Sequence, residues 1–197
     1  YVPNLFCPSI LLMSLLLSAY SIADIKGDLG YTELANELGS ALPDGAGVAV
    51  LQVEAGDNFA PDTTKVQFAG KTIQDLSNPP SPAVSSHATG VGSKFYGLDL
   101  SIAPAITDID IYGVNAFLFQ LLNFGSSASP VQLANRVANH SWVGGHLVDA
   151  NNNDVPASTS NLLRRLDWLI EEDEFIHVAA PSPSGSTKPL LTTAFNV

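Results

Sequence analysis

One stretch limits the fold more than any other: Val48-Ala49-Val50-Leu51-Gln52-Val53, an almost unbroken apolar run entered through the turn Asp44-Gly45-Ala46-Gly47. A strand with one wet face alternates apolar and polar residues, whereas this run is apolar on both parities and so has to be covered on both faces. It is therefore expected to be a buried parallel strand, which requires helical crossovers. It closes on Glu54-Ala55-Gly56, which puts a carboxylate at the carboxyl end of the strand, where open parallel sheets place their chemistry. The plainer alternative is a strand-end glutamate pointing into solvent.

The rest of the chain alternates in the same sense. Residues 65–68 read as a short edge strand, and a loop rich in Pro and Ser from 75 to 86 leads to a helix over 88–96 with Val91 and Phe95 on one face. A strand is expected at 108–112, an apolar helix at 114–122 and another strand within 134–145. The clearest helix covers 159–174, with Leu162, Leu163, Leu166, Leu169 and Ile170 in one stripe opposite Arg164, Arg165, Glu171 and Glu172, a side read as simply solvated. A buried strand at 175–180 opens into a Pro- and Ser-rich loop at 181–186, and 194–197 reads as the start of a further strand. Before all of these, Thr32 is expected to cap a short helix that packs Leu34 and Leu38 into the core and stops at Gly39. The expected class is α/β, a parallel sheet flanked by helices.

Residues 10–19 are an apolar run too short to span a bilayer with any margin, followed by Ser21-Ile22-Ala23, a small-residue cleavage site. Residues 1–23 are expected to be an export signal, and 24–197 one domain. The single cysteine, Cys7, lies in that leader, which excludes thiol catalysis, disulfides and cysteine-ligated zinc for the exported chain. A net charge of −11 with only 8 Lys and Arg excludes a phosphate-backbone partner and disfavours an anionic membrane surface. No stable membrane association is expected once the leader is removed, and the location expected is secreted, periplasmic or cell envelope.

The most informative polar segment is Ser85-Ser86-His87-Ala88-Thr89-Gly90-Val91-Gly92. A histidine titrating near neutral pH is the side chain best suited to general-base work, and the small residues after it let another backbone or a ligand come close. A packed helix-start histidine is the plainer alternative. Asp149-Ala150-Asn151-Asn152-Asn153-Asp154 has the opening of a calcium loop without its glycine or its bidentate glutamate, and reads as a surface turn.

Four of these pieces, in order, resemble the subtilisin-like serine peptidases, the subtilases. The strand through Glu54-Ala55-Gly56 is similar to the one carrying the family's catalytic aspartate in an Asp-Thr/Ser-Gly turn, with Glu54 on the aspartate. Ser86 to Gly92 resembles His-Gly-Thr-His-Val-Ala-Gly, with His87 on the catalytic histidine and Thr89 kept. Ile102-Ala103-Pro104 resembles Val-Ala-Pro, and Val137-Ala138-Asn139-His140-Ser141-Trp142-Val143-Gly144 resembles the substrate-binding strand Val-Ile-Asn-Met-Ser-Leu-Gly. The match runs from Gly47 to Val197.

The resemblance implies an exported endopeptidase in which His87 is the base and Glu54 its orienter, while an extended polypeptide substrate lies along Ser141, Trp142, Val143 and Gly144. Trp142 also reads as a core anchor. No cofactor is implied; calcium as a structural ion is possible in such a family, and Asp62 sits where some relatives have a ligand, but one carboxylate does not make a site. The family's nucleophile lies in Gly-Thr-Ser-Met-Ala, which does not occur here, so the sequence is expected to be a fragment, inactive alone, with an incomplete sheet. Aligned on Gly185, the oxyanion asparagine falls on Pro183, which has no N–H; one lost donor costs about 2.7–4 kcal/mol of transition-state stabilisation unless Ser182 or Ser184 substitutes. The interval before Gly47 is also too short for a folding pro-domain. A catalytically inert domain that binds peptides or surface polymers is the competing expectation.

Overall fold

Val50, Leu51, Gln52 and Val53 have no exposed surface at all, and they form the middle of a parallel sheet. The computed structural model describes residues 25–142 and 161–179. Its helices and strands are α1 (Ile25–Asp28), α2 (Tyr31–Leu38), β1 (Ala49–Glu54), β2 (Thr72–Asp75), α3 (Ser86–Phe95), β3 (Asp108–Gly113), α4 (Val114–Ala116), β4 (Val137–Ser141), α5 (Asn161–Asp173) and β5 (Ile176–Ala179). The five strands are ordered β2-β3-β1-β4-β5 and every pairing is parallel. The class is α/β, as the apolar run requires.

The pleat of β1 separates two cores. Leu51 and Val53 pack with Ala138, with Phe117, Leu121 and Leu122, and with Leu163, Leu166 and Leu169 of α5. On the other face Val50 packs with Ile109 and Ile111 of β3, with Phe68 and Ile106, and with Tyr96 at the end of α3. Gln52 and Glu54 share the parity of Val50 and so project toward α3. Fully burying aliphatic or aromatic side chains of this size contributes about 1.5–3 kcal/mol each, enough to fix the register of β1 against both neighbours.

Several expectations are corrected. Residues 65–68 are not an edge strand: Val66–Phe68 is a 3-10 turn that begins at the Asp62 bend and ends before Gly70, whose φ is +75°. The edge strand comes four residues later, as β2. The helix α2 has no side-chain cap, because Gly30 rather than Thr32 is at its N-cap, and Leu34 and Leu38 are 43% and 38% exposed rather than in the core. Its apolar side lies against neither core cluster. The helix expected at 114–122 is one α-helical turn that widens into π-helix over Phe117–Leu121, with Leu122 N–H donating to Phe117 O. β5 is not a buried strand, since Ile176 and Val178 are 59% and 50% exposed on its outer face.

The charged side of α5 is not merely solvated either. The Arg165 guanidinium donates to the carbonyls of Leu122, Ser126 and Ala128 and so ties the helix to the turn that follows the π-helix. The expected leader 1–23, the Asp149–Asp154 turn, the 181–186 loop with Pro183, and the strand at 194–197 all lie outside the described residues.

Candidate active site

In register, Glu54 stands beside Gly113 of β3 and Ser141 of β4, so the glutamate closes the carboxyl edge of the sheet at its centre. Its side chain turns under α3 and is 2% exposed. Oε1 accepts from Gln52 Nε2 at 2.7 Å, and Oε2 lies 2.8 Å from His87 Nδ1. Burial pushes the Glu54 carboxyl above its ordinary value; the hydrogen bonds from Gln52 and His87 and the charge of a protonated His87 pull the other way.

His87 reaches the carboxylate because α3 starts two residues earlier than its apolar pattern shows. Ser85, extended at φ −114° and ψ 129°, is the N-cap and its Oγ accepts from Ala88 N–H, which makes His87 the second helical residue. The cap is held from outside: Ser85 N–H donates to Ala60 O at 2.7 Å, and Ala60 bridges Val84. Thr89 Oγ1 donates to Ser85 O and accepts from Asp62 N–H. The loop that follows β1 thus holds the start of α3, and the two carriers of the pair are joined twice, through that loop and through the side chains.

The small residues after His87 have divided roles. Ala88 and Gly92 face the sheet and are buried, so their bareness lets α3 approach β1 closely; Gly90 is exposed, with nothing within 4 Å of where its Cβ would be. The protein's own side chains fill the space beside Gly92, where an added Cβ would lie 2.6 Å from Tyr96 Oη.

With a carboxylate at Nδ1, the imidazole proton is placed there and the Nε2 lone pair is left free. The His87 side chain is 67% exposed, so the basic nitrogen is open to solvent beside a buried acidic group. This is the orientation a general base needs.

The residues expected to line a substrate are only partly described. Ser141 Oγ accepts from Asn139 Nδ2 at 2.7 Å. Trp142 packs half-buried against the core and gives its indole N–H to His140 Nδ1 at 3.2 Å. Val143 and Gly144 lie outside the described residues. A cavity of about 600 Å³ opens at the same edge of the sheet, lined among others by Gly56, Phe59, Ser77, Gly113 and Phe119. Ser77 Oγ accepts from Gly113 N–H, and the Phe59 ring lies so close to Gly113 that a Cβ there would meet it at 2.8 Å.

Asp62 is already engaged. Its carboxylate accepts from the hydroxyl and the N–H of Thr64 and pairs with Lys65, and the Thr64 bonds above all hold its pKa down. Among the described residues there is no cluster of three or more metal-ligating side chains, and no helix long and apolar enough to cross a membrane.

Two groups of polar residues escaped the sequence reading. One is Gln52 with Tyr96, which lie behind Glu54 on the α3 side of the sheet. Their signal was available, since Gln52 is the one polar residue inside the apolar run and a buried amide needs partners. The other is a histidine pair on the opposite face, with His140 Nε2 2.7 Å from His177 Nδ1. Nothing in the spacing of two strands that follow one another by tens of residues announces that contact.

Comparison with protein-family models, with curated proteins and with solved structures returns no match.

Proposed function

We propose that the protein is an exported serine endopeptidase of subtilisin-like type, with His87 as general base and Glu54 holding it. The observation that carries this reading is the 2.8 Å contact between His87 Nδ1 and Glu54 Oε2 at the carboxyl end of the central strand, with the other ring nitrogen facing out. In such a reaction a serine hydroxyl adds to the peptide carbonyl as His87 Nε2 takes its proton. The same proton then passes to the leaving amine, and water repeats the sequence to release the acyl group. The buried carboxylate fixes the tautomer and stabilises the imidazolium that forms.

The extra methylene of glutamate over the family's aspartate is accommodated, since Glu54 reaches Nδ1 at an ordinary hydrogen-bond distance. The nucleophile in this reading is a serine in a Gly-Thr-Ser context, which these 197 residues do not contain. An extended peptide would lie against Ser141 and the residues after it, next to Glu54 in register.

The test is a fluorophosphonate probe together with a quenched peptide library, applied to the product of the complete reading frame. Labelling and cleavage that are both lost in His87→Ala support the reading. A folded product that neither labels nor cleaves overturns it. Measurable peptide binding in that case supports the second reading, an inert peptide-binding domain, which is favoured by Pro183 where an oxyanion donor is expected.

A further inference from the structure

Behind the glutamate runs a chain of three buried hydrogen bonds. Tyr96 Oη donates to Gln52 Oε1 at 2.6 Å, and Gln52 Nε2 donates to both Glu54 Oε1 at 2.7 Å and Ala88 O at 2.9 Å. Tyr96 and Gln52 have no exposed surface. Both amide hydrogens of Gln52 are used, on acceptors that cannot donate when Glu54 is ionised, and its oxygen is used by the phenol.

We propose that Gln52 and Tyr96 are positioning residues of the Glu54–His87 pair, with Tyr96 setting the sense of the Gln52 amide and Gln52 holding one carboxylate oxygen so that the other meets His87. The inference rests on the reading of that pair as a base and its orienter.

The direction of each bond is forced. A glutamine turned end for end would put its carbonyl oxygen against the Ala88 carbonyl and the Glu54 carboxylate, two acceptors, and its NH2 against the phenol. Only the observed sense satisfies every group, and the Tyr96 hydroxyl rewards that sense because it has a proton to give. Burial and the neighbouring Glu54 charge hold the Tyr96 phenol above its ordinary pKa, so it remains a donor over the working range.

Glutamate needs this support more than aspartate would. It has one more rotatable bond between the strand and the carboxylate, and at a buried site each freely turning bond lets the acceptor leave the imidazole. Gln52, two residues back on the same strand face, removes that freedom by fixing Oε1. The N–H it supplies also favours the ionised carboxylate, which burial disfavours. Gly92 completes the arrangement: a Cβ there would lie 2.6 Å from Tyr96 Oη and 3.2 Å from Gln52 Oε1, so only glycine leaves room for the phenol–amide bond.

The experiment labels the histidines with 15N in the product of the complete reading frame and follows the His87 ring signals with pH in wild type, Tyr96→Phe and Gln52→Met. Leu166→Ala, in the core on the far face of the sheet, is the control for lost stability alone. Wild type is expected to show a downfield Nδ1–H resonance and a single tautomer. Both network variants are expected to weaken that resonance and mix the tautomers, whereas the control changes neither. In the enzyme assay kcat falls roughly tenfold or more with KM unchanged.

An unchanged His87 spectrum in Tyr96→Phe, with only thermal stability reduced, would show that the network is core packing and overturn the inference. Tyr96→Phe removes a single oxygen atom and decides the matter where Gln52→Met does not fold. If wild type hydrolyses nothing and yet the variants disturb His87 as described, the peptidase reading fails and the positioning role stands. If wild type hydrolyses peptides and the variants leave both His87 and kcat alone, the reverse holds.

Discussion

His87 Nδ1 and Glu54 Oε2 lie 2.8 Å apart, and the two side chains are opposites in exposure, 67% for the imidazole and 2% for the carboxylate. That asymmetry gives the pair a direction. A proton held at Nδ1 by a buried acceptor is not available to solvent, whereas the lone pair on Nε2 is. The same two residues on the surface would form an ion pair of little consequence.

Replacing Glu54 by Gln separates the charge from the shape. An amide nitrogen facing Nδ1 makes the ring an acceptor there and moves its proton to Nε2, the wrong tautomer, so hydrolysis is expected to fall by about 10⁴-fold with the fold kept. Stability should move the other way at neutral pH. Burial raises the Glu54 pKa above its unfolded value, so the protein favours the protonated acid, and stability is lost as pH rises from the ordinary carboxylate range through the folded value. Glu54→Gln removes that loss. The stability of the variant relative to wild type should therefore grow between pH 4 and pH 8, as read from unfolding midpoints at the two pH values, and a variant-to-wild-type difference that is the same at both would show that the carboxylate carries no burial penalty.

Ser85→Ala tests the cap that delivers His87. Removing the Oγ leaves Ala88 N–H without its partner and is expected to cost about 1 kcal/mol, or roughly 2–4 °C in Tm for a chain of this size. Because His87 is two residues from the cap, fraying of the first turn also moves the imidazole, and peptide hydrolysis should decline more than stability does. Scanning calorimetry with a kcat measurement checks both.

The two glycines of α3 should respond in opposite directions. Gly90→Ala meets open space and gains helix propensity, so it is expected to stabilise by up to about 1 kcal/mol. Gly92→Ala makes the same propensity gain, but its Cβ strikes the fully buried Tyr96 at 2.6 and 2.8 Å, and overpacking of that kind costs about 1–3 kcal/mol. Urea unfolding of the two variants side by side reads the difference directly.

Much of this is legible in the sequence, and the reason is period. An apolar run on both parities has few solutions besides a buried parallel strand, so β1 and its terminal glutamate could be read, as could α5 from its leucine stripe. Residues 65–68 misled because alternating Val66 and Phe68 look alike in a strand and in a 3-10 turn, and the Asp62–Thr64 bend that decides between them is a side-chain event. The widening of the helix after Ala116 into a π-turn, and the long reach of Arg165 to the carbonyls that follow it, leave no mark in periodicity. The contact between Glu54 and His87 was anticipated only through the motif resemblance, since 33 residues separate them. Gln52 leaves no mark in the hydrophobicity of the run around it, and only the partners that a buried amide needs set it apart.

The histidine pair on the other face makes the protein sensitive to acid. The Trp142 indole can only donate, so His140 Nδ1 is an acceptor and its proton is on Nε2. That proton goes to His177 Nδ1, which leaves the His177 proton on Nε2, a buried nitrogen with no hydrogen-bond partner among the described residues. Both rings are therefore neutral and each has a place for only one proton. Burial, and for His140 also the neighbouring His177, pushes their pKa values down to about 3 and about 4 from an ordinary 6.5. The unfolded chain then binds protons that the folded one refuses. Stability from this pair is present in full above pH 6.5 and is lost as pH falls toward those folded values, at up to about 1.4 kcal/mol per histidine per pH unit. In His177→Phe one of the two sites no longer titrates, so although stability at pH 7 drops, its decline between pH 6.5 and pH 4.5 should be shallower than in wild type, by up to about 1.4 kcal/mol per pH unit. Urea midpoints at half-unit steps across that range measure the slopes, and parallel curves would mean that the pair is already solvated in the folded protein.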